Sequence, residues 1–499
     1  MRRGGTAPNS PDSDRRFEPR GGSADTTGRC QRPSAAQQTG YEGMKLLGKS
    51  SASGIAMAIG LAACQPAWAQ DPPKEEATSD EATEEIDEEF VEDYVESSGG
   101  GTDILSADTL TVLLDARLVL ADGHTSWVDG GFGKTRFDGT ADGDFKLRPV
   151  PVEAALIWQP RITDSLNGNF SAAWQLDGDE EFDLMEGYLA FNPRRSGNTS
   201  FALKAGMYWP EISLEHSTGG AWSTVYTITP SAINAWVGEE VKVIGAEATL
   251  FQTIGSHDFS ATVGAFGFND TSGTLLSFRG WALHDVKSTL FGHFELPPRN
   301  AFMNLAQEDR TRSILEIDDT IGFYGRAEWR PSPGFLANVF YYDNRGDPEA
   351  FTDRLQWGWR TRFWNVGMLA NLGPETRLIA QGMTGTTLMG FIPTGSTRYW
   401  VDTRFRSAFA LLTHQVGQGA LSGRVELFDT KERGSLMNPA EENETGWAAT
   451  VAGRWPVWEG FTLFVEALHV ESERAGRARL GLPPKESQTV LQASLRFRW

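Results

Sequence analysis

The stretch 490-VLQASLRFRW-499 alternates apolar and polar side chains one by one, and this alternation decides the fold class. Its apolar set is Leu491, Ala493, Leu495, Phe497 and Trp499, and the set between them is Gln492, Ser494, Arg496 and Arg498. A period of two places the two sets on opposite faces of a β-strand. The segment 109–121 repeats the pattern, with leucines on one face and Asp115 and Arg117 on the other.

The same period recurs between these two segments and predicts sixteen strands. They are 109–121, 146–161, 167–177, 183–192, 200–209, 240–251, 257–268, 319–330, 335–343, 357–372, 375–385, 397–412, 419–430, 445–455, 460–471 and 488–499. The connections that follow even strands are short, whereas most of those that follow odd strands are long. An outer-membrane barrel has this asymmetry, with short periplasmic turns and long extracellular loops. The sequence therefore predicts an all-β, 16-stranded antiparallel transmembrane β-barrel over residues 104–499.

Charge placement supports lipid on one side of the strands and water on the other. In the seven clearest strands, every charged residue at a strand centre lies on the face opposite the apolar one. A charge that faces lipid at mid-bilayer costs about 2–4 kcal/mol for Arg or Lys, so a membrane wall selects this segregation. In segment 357–372, Arg360 and Arg362 would lie on the same strand face as Val366 and Met368, because even numbers of residues separate them. This mixture of charged and apolar residues on one face predicts a β-bulge there.

Tryptophans recur near the predicted strand ends, as in the aromatic girdles of membrane barrels. The final residue, Trp499, resembles the C-terminal aromatic signal that the outer-membrane barrel assembly machinery recognises. These features predict a multi-pass barrel in the outer membrane of a Gram-negative bacterium, surrounded by outer-membrane lipid.

The composition is compatible with that location. The chain has 499 residues, a net charge of −21 and 17 Trp, and no stretch of 18 consecutive apolar residues that would predict a transmembrane helix. More than half of the negative charge falls in residues 71–100, which hold 13 acidic residues and one Lys. The net charge is therefore a poor guide to the partners of the strand region. No nucleic-acid partner and no cofactor are predicted.

The first hundred residues divide into three segments. Residues 44–69 have the positive start, apolar core and Ala-x-Ala site of a secretory signal peptide, which makes residues 1–43 a spurious upstream extension. The alternative is lipidation at Cys64, in a lipobox-like Leu-Ala-Ala-Cys. Residues 70–103 form an acidic segment that predicts periplasmic disorder, or alternatively a short docking helix.

A sixteen-stranded barrel encloses a lumen wide enough for water, so something must narrow it. The natural candidate is the connection 210–239, because sixteen-stranded porins fold a loop inward at this place in the strand order. Its candidate constriction residues are Glu211, Glu215, Trp222, Tyr226 and Trp236. The alternative is an ordinary external loop. The longer loop 269–318 is expected to cap the pore or to touch a neighbouring chain.

Arginines on the predicted wall opposite this loop suggest a pore-lining, substrate-binding ladder. Its members are Arg398, Arg404, Arg406, Arg424 and Arg454, with Lys204 on the near wall. Guanidinium groups bind carboxylate or phosphate in bidentate fashion, so the ladder favours small anions. The alternative is that each Arg pairs with an acid of the lumen, such as Asp402 or Glu426.

The motif AGMYWPEISLEHS (205–217), followed by a Trp-rich loop, resembles the exit of the fifth strand in the phosphate-selective porin O/P family and its dicarboxylate-channel relatives. The resemblance covers residues 104–499 and implies a homotrimeric porin for small hydrophilic solutes. The dense lysine cluster expected for phosphate selectivity is missing, since Lys204 is nearly alone on its strand. Another solute class is therefore an alternative.

An outer-membrane enzyme of the lipase or protease type is the other alternative. His284, Asp285, His293 and Glu295 could form a metal or acid–base cluster, but their spacing fits no established motif. We therefore predict neither catalytic residues nor a metal site.

Overall fold

A computed structural model describes residues 102–178, 182–194, 197–216 and 224–499. The predicted extension 1–43, the signal peptide 44–69, the acidic segment up to residue 101 and Trp222 lie outside the described residues. Those interpretations stay predictions. Within the described ranges, no helix is long and apolar enough to cross a bilayer.

The sixteen long strands of the described chain are β1 (Leu110–Ala121), β2 (Lys146–Trp158), β3 (Leu166–Gln175), β4 (Asp183–Phe191), β5 (Thr199–Tyr208), β6 (Val243–Ile254), β7 (His257–Gly267), β10 (Gly322–Ser332), β11 (Phe335–Asp343), β12 (Arg360–Asn371), β13 (Thr376–Met389), β14 (Val401–Val416), β15 (Gly419–Glu432), β16 (Glu444–Trp458), β17 (Phe461–Arg474) and β18 (Lys485–Arg498). Two short strands, β8 (Phe294–Glu295) and β9 (Arg310–Thr311), form a separate sheet. Within the described ranges, the α-helices are α1 (Ala232–Glu240), α2 (Thr274–Phe278), α3 (Met303–Ala306) and α4 (Pro439–Glu442), and the 3-10 helices are Ala107–Thr109, Trp127–Asp129 and Ala475–Leu480.

The sixteen long strands form one closed antiparallel barrel, which confirms the predicted fold. Neighbours in sequence are paired, β7 pairs with β10 across a long loop, and β1 pairs with β18 to close the ring. Each strand begins and ends within four residues of its predicted bounds. Connections on one side have two to seven residues, whereas those on the other have ten to 54, apart from the seven-residue connection 176–182.

The outer face of the barrel is apolar. Side chains that would be buried in a water-soluble protein are exposed there, including Val263 at 65%, Val425 at 62% and Val451 at 64%. The residues between them point inward and are buried, such as Thr262, Arg424 and Thr450. Contiguous exposed apolar surface on this scale needs an apolar surrounding, so lipid accounts for the wall.

The predicted bulge in the segment 357–372 is wrong. β12 pairs with β11 and with β13 in a continuous register from Arg360 to Asn371. Arg360 and Arg362 therefore lie on the same outer face as Trp364 and Val366. Both arginines are at the long-loop end of the strand, where an outward charge does not reach the middle of a bilayer.

We expect Gly264→Ala to destabilise the barrel. Gly264 points into the lumen, and a Cβ there would lie 2.1 Å from the ring carbon Cζ of Tyr324. Tyr324 is held by hydrogen bonds to Tyr208 and Glu247, so the ring cannot move freely and the loss is about 1–3 kcal/mol. Thermal unfolding of the detergent-solubilised protein, followed by its shift in gel mobility, measures this.

Gly423→Ala is the matched control, because a Cβ at Gly423 on β15 meets no atom within 4 Å. Equal unfolding midpoints for the two variants would contradict the packing at Tyr324.

Candidate functional site

The described residues of the 210–239 loop, 210–216 and 224–239, enter the lumen, and the loop ends in helix α1. All nine residues of α1 are buried, although the helix belongs to a connecting loop. Its N-cap is Ser231, whose side chain accepts a hydrogen bond from the backbone N–H of Asn234. A buried loop must satisfy its backbone polar groups, and the inward side chains of the barrel do this here.

Arg424 on β15 holds the loop to one wall. Its guanidinium donates to Glu215 Oε1 at 3.1 Å, to Glu426 Oε1 at 2.9 Å and to the carbonyl oxygens of Thr229 and Pro230 at 2.9 Å each. The side chains of Arg424, Glu215 and Glu426 are at most 1% exposed. A buried charge is tolerated when it is paired and hydrogen-bonded, so this cluster fixes the loop against β15.

Two carboxylates of the same wall accept hydrogen bonds from the loop backbone. Glu466 Oε2 accepts from the N–H groups of Ile228 at 2.6 Å and Thr229 at 2.9 Å. Glu426 Oε2 accepts from the N–H of Ala232 at 2.8 Å, at the start of α1. Negative charge at a helix N-terminus is favourable because N–H groups point at it.

Two amide side chains hold the beginning of the loop to β12 and β13, on the far side of the ring from β5, where the loop starts. Asn365 Nδ2 and Gln381 Nε2 donate to the carbonyl of Ile212 at 3.0 and 2.9 Å, and Gln381 Oε1 accepts from the N–H of Leu214 at 2.8 Å. The loop is therefore tied to β12 and β13 as well as to β15 and β17, and it crosses the lumen.

The lumen wall beside β12–β14 is aromatic. Trp236 of α1 packs against Trp281, Phe363 and Phe405, with ring centroids 5.9, 5.3 and 5.1 Å apart. All four side chains are buried. This half of the lumen is an apolar core, in contrast to the charged wall of β15, β17, β18 and β1.

The 269–318 loop also lies in the lumen and contacts the first loop directly. Arg279 forms a bidentate ion pair with Glu239 of α1 at 2.5 and 2.9 Å. His284 Nε2 lies 2.7 Å from Glu239 Oε1. All three side chains are at most 1% exposed, so the two loops are joined by a buried charge cluster.

The same loop is tied to the barrel wall by further ion pairs. Asp285 pairs with Arg117 and with Arg136, and Lys287 pairs with Glu153 at 2.6 Å. A cavity of about 10 Å³ remains between Arg117, Arg136 and Asp285, which is room for about one water molecule. Because inward side chains of both walls are buried against the loops, we infer that the described loop residues close the lumen at this level.

Adjacent carboxylates of α1 differ in their protonation. Burial opposes ionisation of Glu239, but the charge of Arg279 and the hydrogen bonds of Arg279 and His284 outweigh it and lower its pKa to about 2. Burial raises the pKa of Glu240 to about 7, although the N–H of Leu275 and the Trp236 indole donate to it. Glu239 is therefore ionised at neutral pH, whereas Glu240 titrates there.

Basic side chains point into the barrel nearer the short turns. They are Lys204, Arg326, Arg330, Arg377, Arg454 and Arg496, and the acids among them include Asp115, Glu211, Glu247, Asp258 and Glu328. Glu211 pairs with Arg326 at 2.9 Å, and Lys204 lies 3.2 Å from Glu247. We call this group the short-turn vestibule; Lys204, Arg326, Arg330 and Arg496 each have an acidic partner in it.

The structure brings together most of the predicted constriction residues. Glu215, Tyr226 and Trp236 are buried inside the barrel, and Glu211 lies in the short-turn vestibule. Of the predicted ladder, Arg424, Arg454 and Lys204 point inward. Whether these residues contact a solute is untested and stays a prediction.

The inward orientation predicted for Arg404 and Arg406 is wrong, and so is the place of Arg398. Arg404 and Arg406 are exposed on the outer face of β14, and Arg398 lies in the loop 390–400, paired with Asp402 at 2.6 Å. Both faces of β14 are apolar at mid-strand. The larger side chains, Phe405 and Phe409, point inward because the aromatic loop core occupies the lumen where water was expected.

The candidate acid–base cluster is not assembled. His284 contacts Glu239, and Asp285 is held by two arginines. The lumen residues that the sequence analysis missed are the loop partners Glu239, Arg279, Glu466 and Gln381. Glu466 could be found as a charged residue at the centre of a predicted strand. No sequence signal pairs it with a loop more than two hundred residues away.

No family model and no curated relative match this chain. Among solved structures, the outer membrane channel DcaP of Acinetobacter baumannii is 10% identical, with 80% of this chain and 100% of that chain covered and a TM-score of 0.48. An anion-selective porin from Comamonas acidovorans is 12% identical, with 78% and 99% covered and a TM-score of 0.43. The trimer form of the outer membrane protein OmpT of Vibrio cholerae is 8% identical, with 78% and 99% covered and a TM-score of 0.41.

We expect Glu240→Gln to flatten the pH dependence of stability. A folded-state pKa of about 7, raised by burial above the ordinary value of 4.5, means that the folded protein binds the proton more tightly. Stability is then present at low pH and lost as the pH rises towards 7. The variant should match the wild type at pH 5 and unfold several degrees higher at pH 8.5, measured by thermal scans.

Glu239→Gln is the control at the neighbouring position. Because Glu239 is ionised and paired with Arg279, this change should lower the unfolding midpoint at both pH values. If Glu240→Gln behaves in the same way, Glu240 is not protonated at neutral pH.

Proposed function

We propose that this chain is an outer-membrane porin for small hydrophilic solutes. The observation that carries the proposal is the combination of a closed sixteen-stranded ring, an apolar outer wall and an interior lined by charged side chains. Such a barrel is stable in lipid and encloses a polar path. An enzyme has less support, because His284 of the candidate cluster is engaged in the buried contact with Glu239.

The proposed channel is gated, because the two loops occupy the lumen. Solute passage requires that the 210–239 loop leave the wall at Arg424, Glu426 and Glu466. The loop is attached by hydrogen bonds and ion pairs that water and solute can replace, whereas its aromatic side resists wetting. We propose that the path opens along the charged wall of β15, β17 and β18.

We propose a bias towards small anions such as phosphate or carboxylates. Two kinds of basic group support it: the basic side chains that point into the short-turn vestibule, and Arg424 on the wall where the path would open. When the loop leaves, Arg424 loses its contacts to Glu215 and to the loop carbonyls. Its guanidinium then offers the fork that binds a carboxylate or a phosphate.

We also propose a homotrimer that is inserted by the barrel assembly machinery. The outward side chains of β5–β7 include the exposed alanines Ala205, Ala246, Ala248, Ala261 and Ala265, which allow another barrel to approach closely. Trp499 is 63% exposed at the end of the chain beyond β18, where a receptor can reach it.

We expect weakening of the loop contact to increase ion conductance. Arg424→Met removes the guanidinium that joins β15 to Glu215, Thr229 and Pro230, and Glu466→Gln weakens the acceptor for Ile228 and Thr229. Each should raise single-channel conductance in planar bilayers severalfold over the wild type, because the loop detaches more often.

Arg398→Met is the matched control, since it removes the same charge from a side chain in the loop 390–400, outside the lumen. It should conduct like the wild type. Heat-modifiable gel mobility confirms that each variant is folded. Wild-type conductance in both lumen variants would remove the 210–239 loop from gating.

We expect the open channel to prefer chloride over potassium. Arg330→Gln with Arg454→Gln removes two positive charges from the short-turn vestibule, and should shift the reversal potential in a KCl gradient towards zero. A cation-selective wild type, or an unchanged potential in the variant, would contradict the anion bias.

A further inference from the structure

Basic side chains interrupt the apolar outer wall at the long-loop end of β12–β15. Arg362, Arg404, Arg406 and Lys431 are exposed on the outer face. Nearer the barrel's middle, the outward residues of the same strands are apolar, such as Val366 and Leu427, at 54% and 67% exposed. The arginines thus belong to the surface that meets the surroundings of the barrel, and not to the pore.

Strand pairing places three of these residues in one line. Arg362 on β12 lies opposite Thr386 on β13, Thr386 lies opposite Arg404 on β14, and Arg404 lies opposite Lys431 on β15. We call Arg362, Arg404 and Lys431 the basic row. Like charges directly opposite each other on neighbouring strands destabilise a sheet, so the pair Arg404–Lys431 calls for an anion between the two strands.

The acids near the basic row do not neutralise it. Asp429 pairs with Arg406 at 2.7 Å, and Asp343 lies 3.6 Å from Arg360 at the edge of the row. Asp402, two residues before Arg404, is already paired with Arg398 and Arg433. The five basic side chains of the row with Arg360 and Arg406 are therefore left with two carboxylates, Asp343 and Asp429. The surplus is positive.

An aromatic pair marks the depth of the row in the membrane. Trp364, two residues nearer the barrel's middle than Arg362, packs on Tyr341 with ring centroids 4.7 Å apart. Tryptophan and tyrosine settle at the level of the lipid headgroups. An outward Arg or Lys costs about 0–1 kcal/mol near the interface, against about 2–4 kcal/mol at mid-bilayer. The basic row therefore lies at headgroup level.

We propose that the basic row binds the phosphate groups of the anionic glycolipid of the outer leaflet, lipopolysaccharide. This rests on the proposed function only in placing the barrel in the outer membrane with its long loops outward. Guanidinium groups bind phosphate in bidentate fashion, and an ammonium group adds a point charge. A phosphate between Arg404 and Lys431 would relieve their repulsion, while the acyl chains would cover the apolar wall below.

The test compares two double variants that each remove two positive charges. Arg404→Gln with Lys431→Gln changes the basic row, and Arg194→Gln with Arg498→Gln changes exposed arginines at the short-turn end. Full-length protein in detergent is incubated with lipid A carrying both phosphates, and bound lipid is counted by native mass spectrometry. We expect at least a tenfold loss of bound lipid in the first double variant and no loss in the second.

Further arms separate the phosphate from other sources of binding. The charge-preserving Arg404→Lys with Lys431→Arg should retain the lipid, which excludes a folding defect. Lipid A without phosphates should bind to the wild type no better than phosphorylated lipid A binds to the first double variant. Full displacement by inorganic phosphate, equal binding in both double variants, or a change of oligomeric state without loss of lipid would overturn the proposal.

Conductance of the same samples distinguishes this result from a failure of the proposed function. Lipid binding without any conductance in wild type or lumen variants would remove the porin proposal and leave the lipid site. Conductance without lipid binding would remove the lipid site and leave the porin proposal.

Discussion

The pairing of Arg424 with Glu215 and Glu426 is the interaction on which the inside of this barrel depends. A guanidinium that points into a closed barrel and is shielded from water is stable only when its donors are satisfied. The loop supplies one carboxylate and two carbonyls, and the wall supplies the other carboxylate. The position of the loop follows from this requirement, and the start of α1 is then placed against Glu426.

The lumen is divided between two kinds of chemistry. The wall of β12–β14 presents Phe363 and Phe405 to the tryptophans of the loops, while β15, β17, β18 and β1 present paired charges. The apolar half gives the loops a core to pack on, and the charged half fixes their register through directed hydrogen bonds. Hydration of the aromatic side is unfavourable, so a solute path favours the charged side. The two walls therefore have different roles, one in packing the loops and the other in hydrogen bonding.

The strands could be predicted from the sequence, and the contents of the lumen could not. Alternation such as that of 490–499 is a local pattern that lipid imposes on one face, so strand bounds came out within four residues. The same reasoning assumed a wet interior, and it failed on β14, where Phe405 rather than Arg404 points inward. Contacts such as Glu215–Arg424 join residues more than two hundred positions apart, and no local pattern in a single sequence encodes them. The inward position of Arg424 could be predicted from the alternation of its strand, because the residue lies at the strand centre opposite a clear apolar face.

Glu239 belongs to one lumen loop, and its partners Arg279 and His284 belong to the other. Departure of either loop alone would leave a buried charge unpaired in the loop that stays, at a cost of about 3–5 kcal/mol. The intermediate with one loop released is therefore poorly populated, so in the proposed gating the departure of the 210–239 loop takes the 269–318 loop with it. The proposed channel would then open in one step, with a current that changes between shut and conducting levels instead of varying in a graded way.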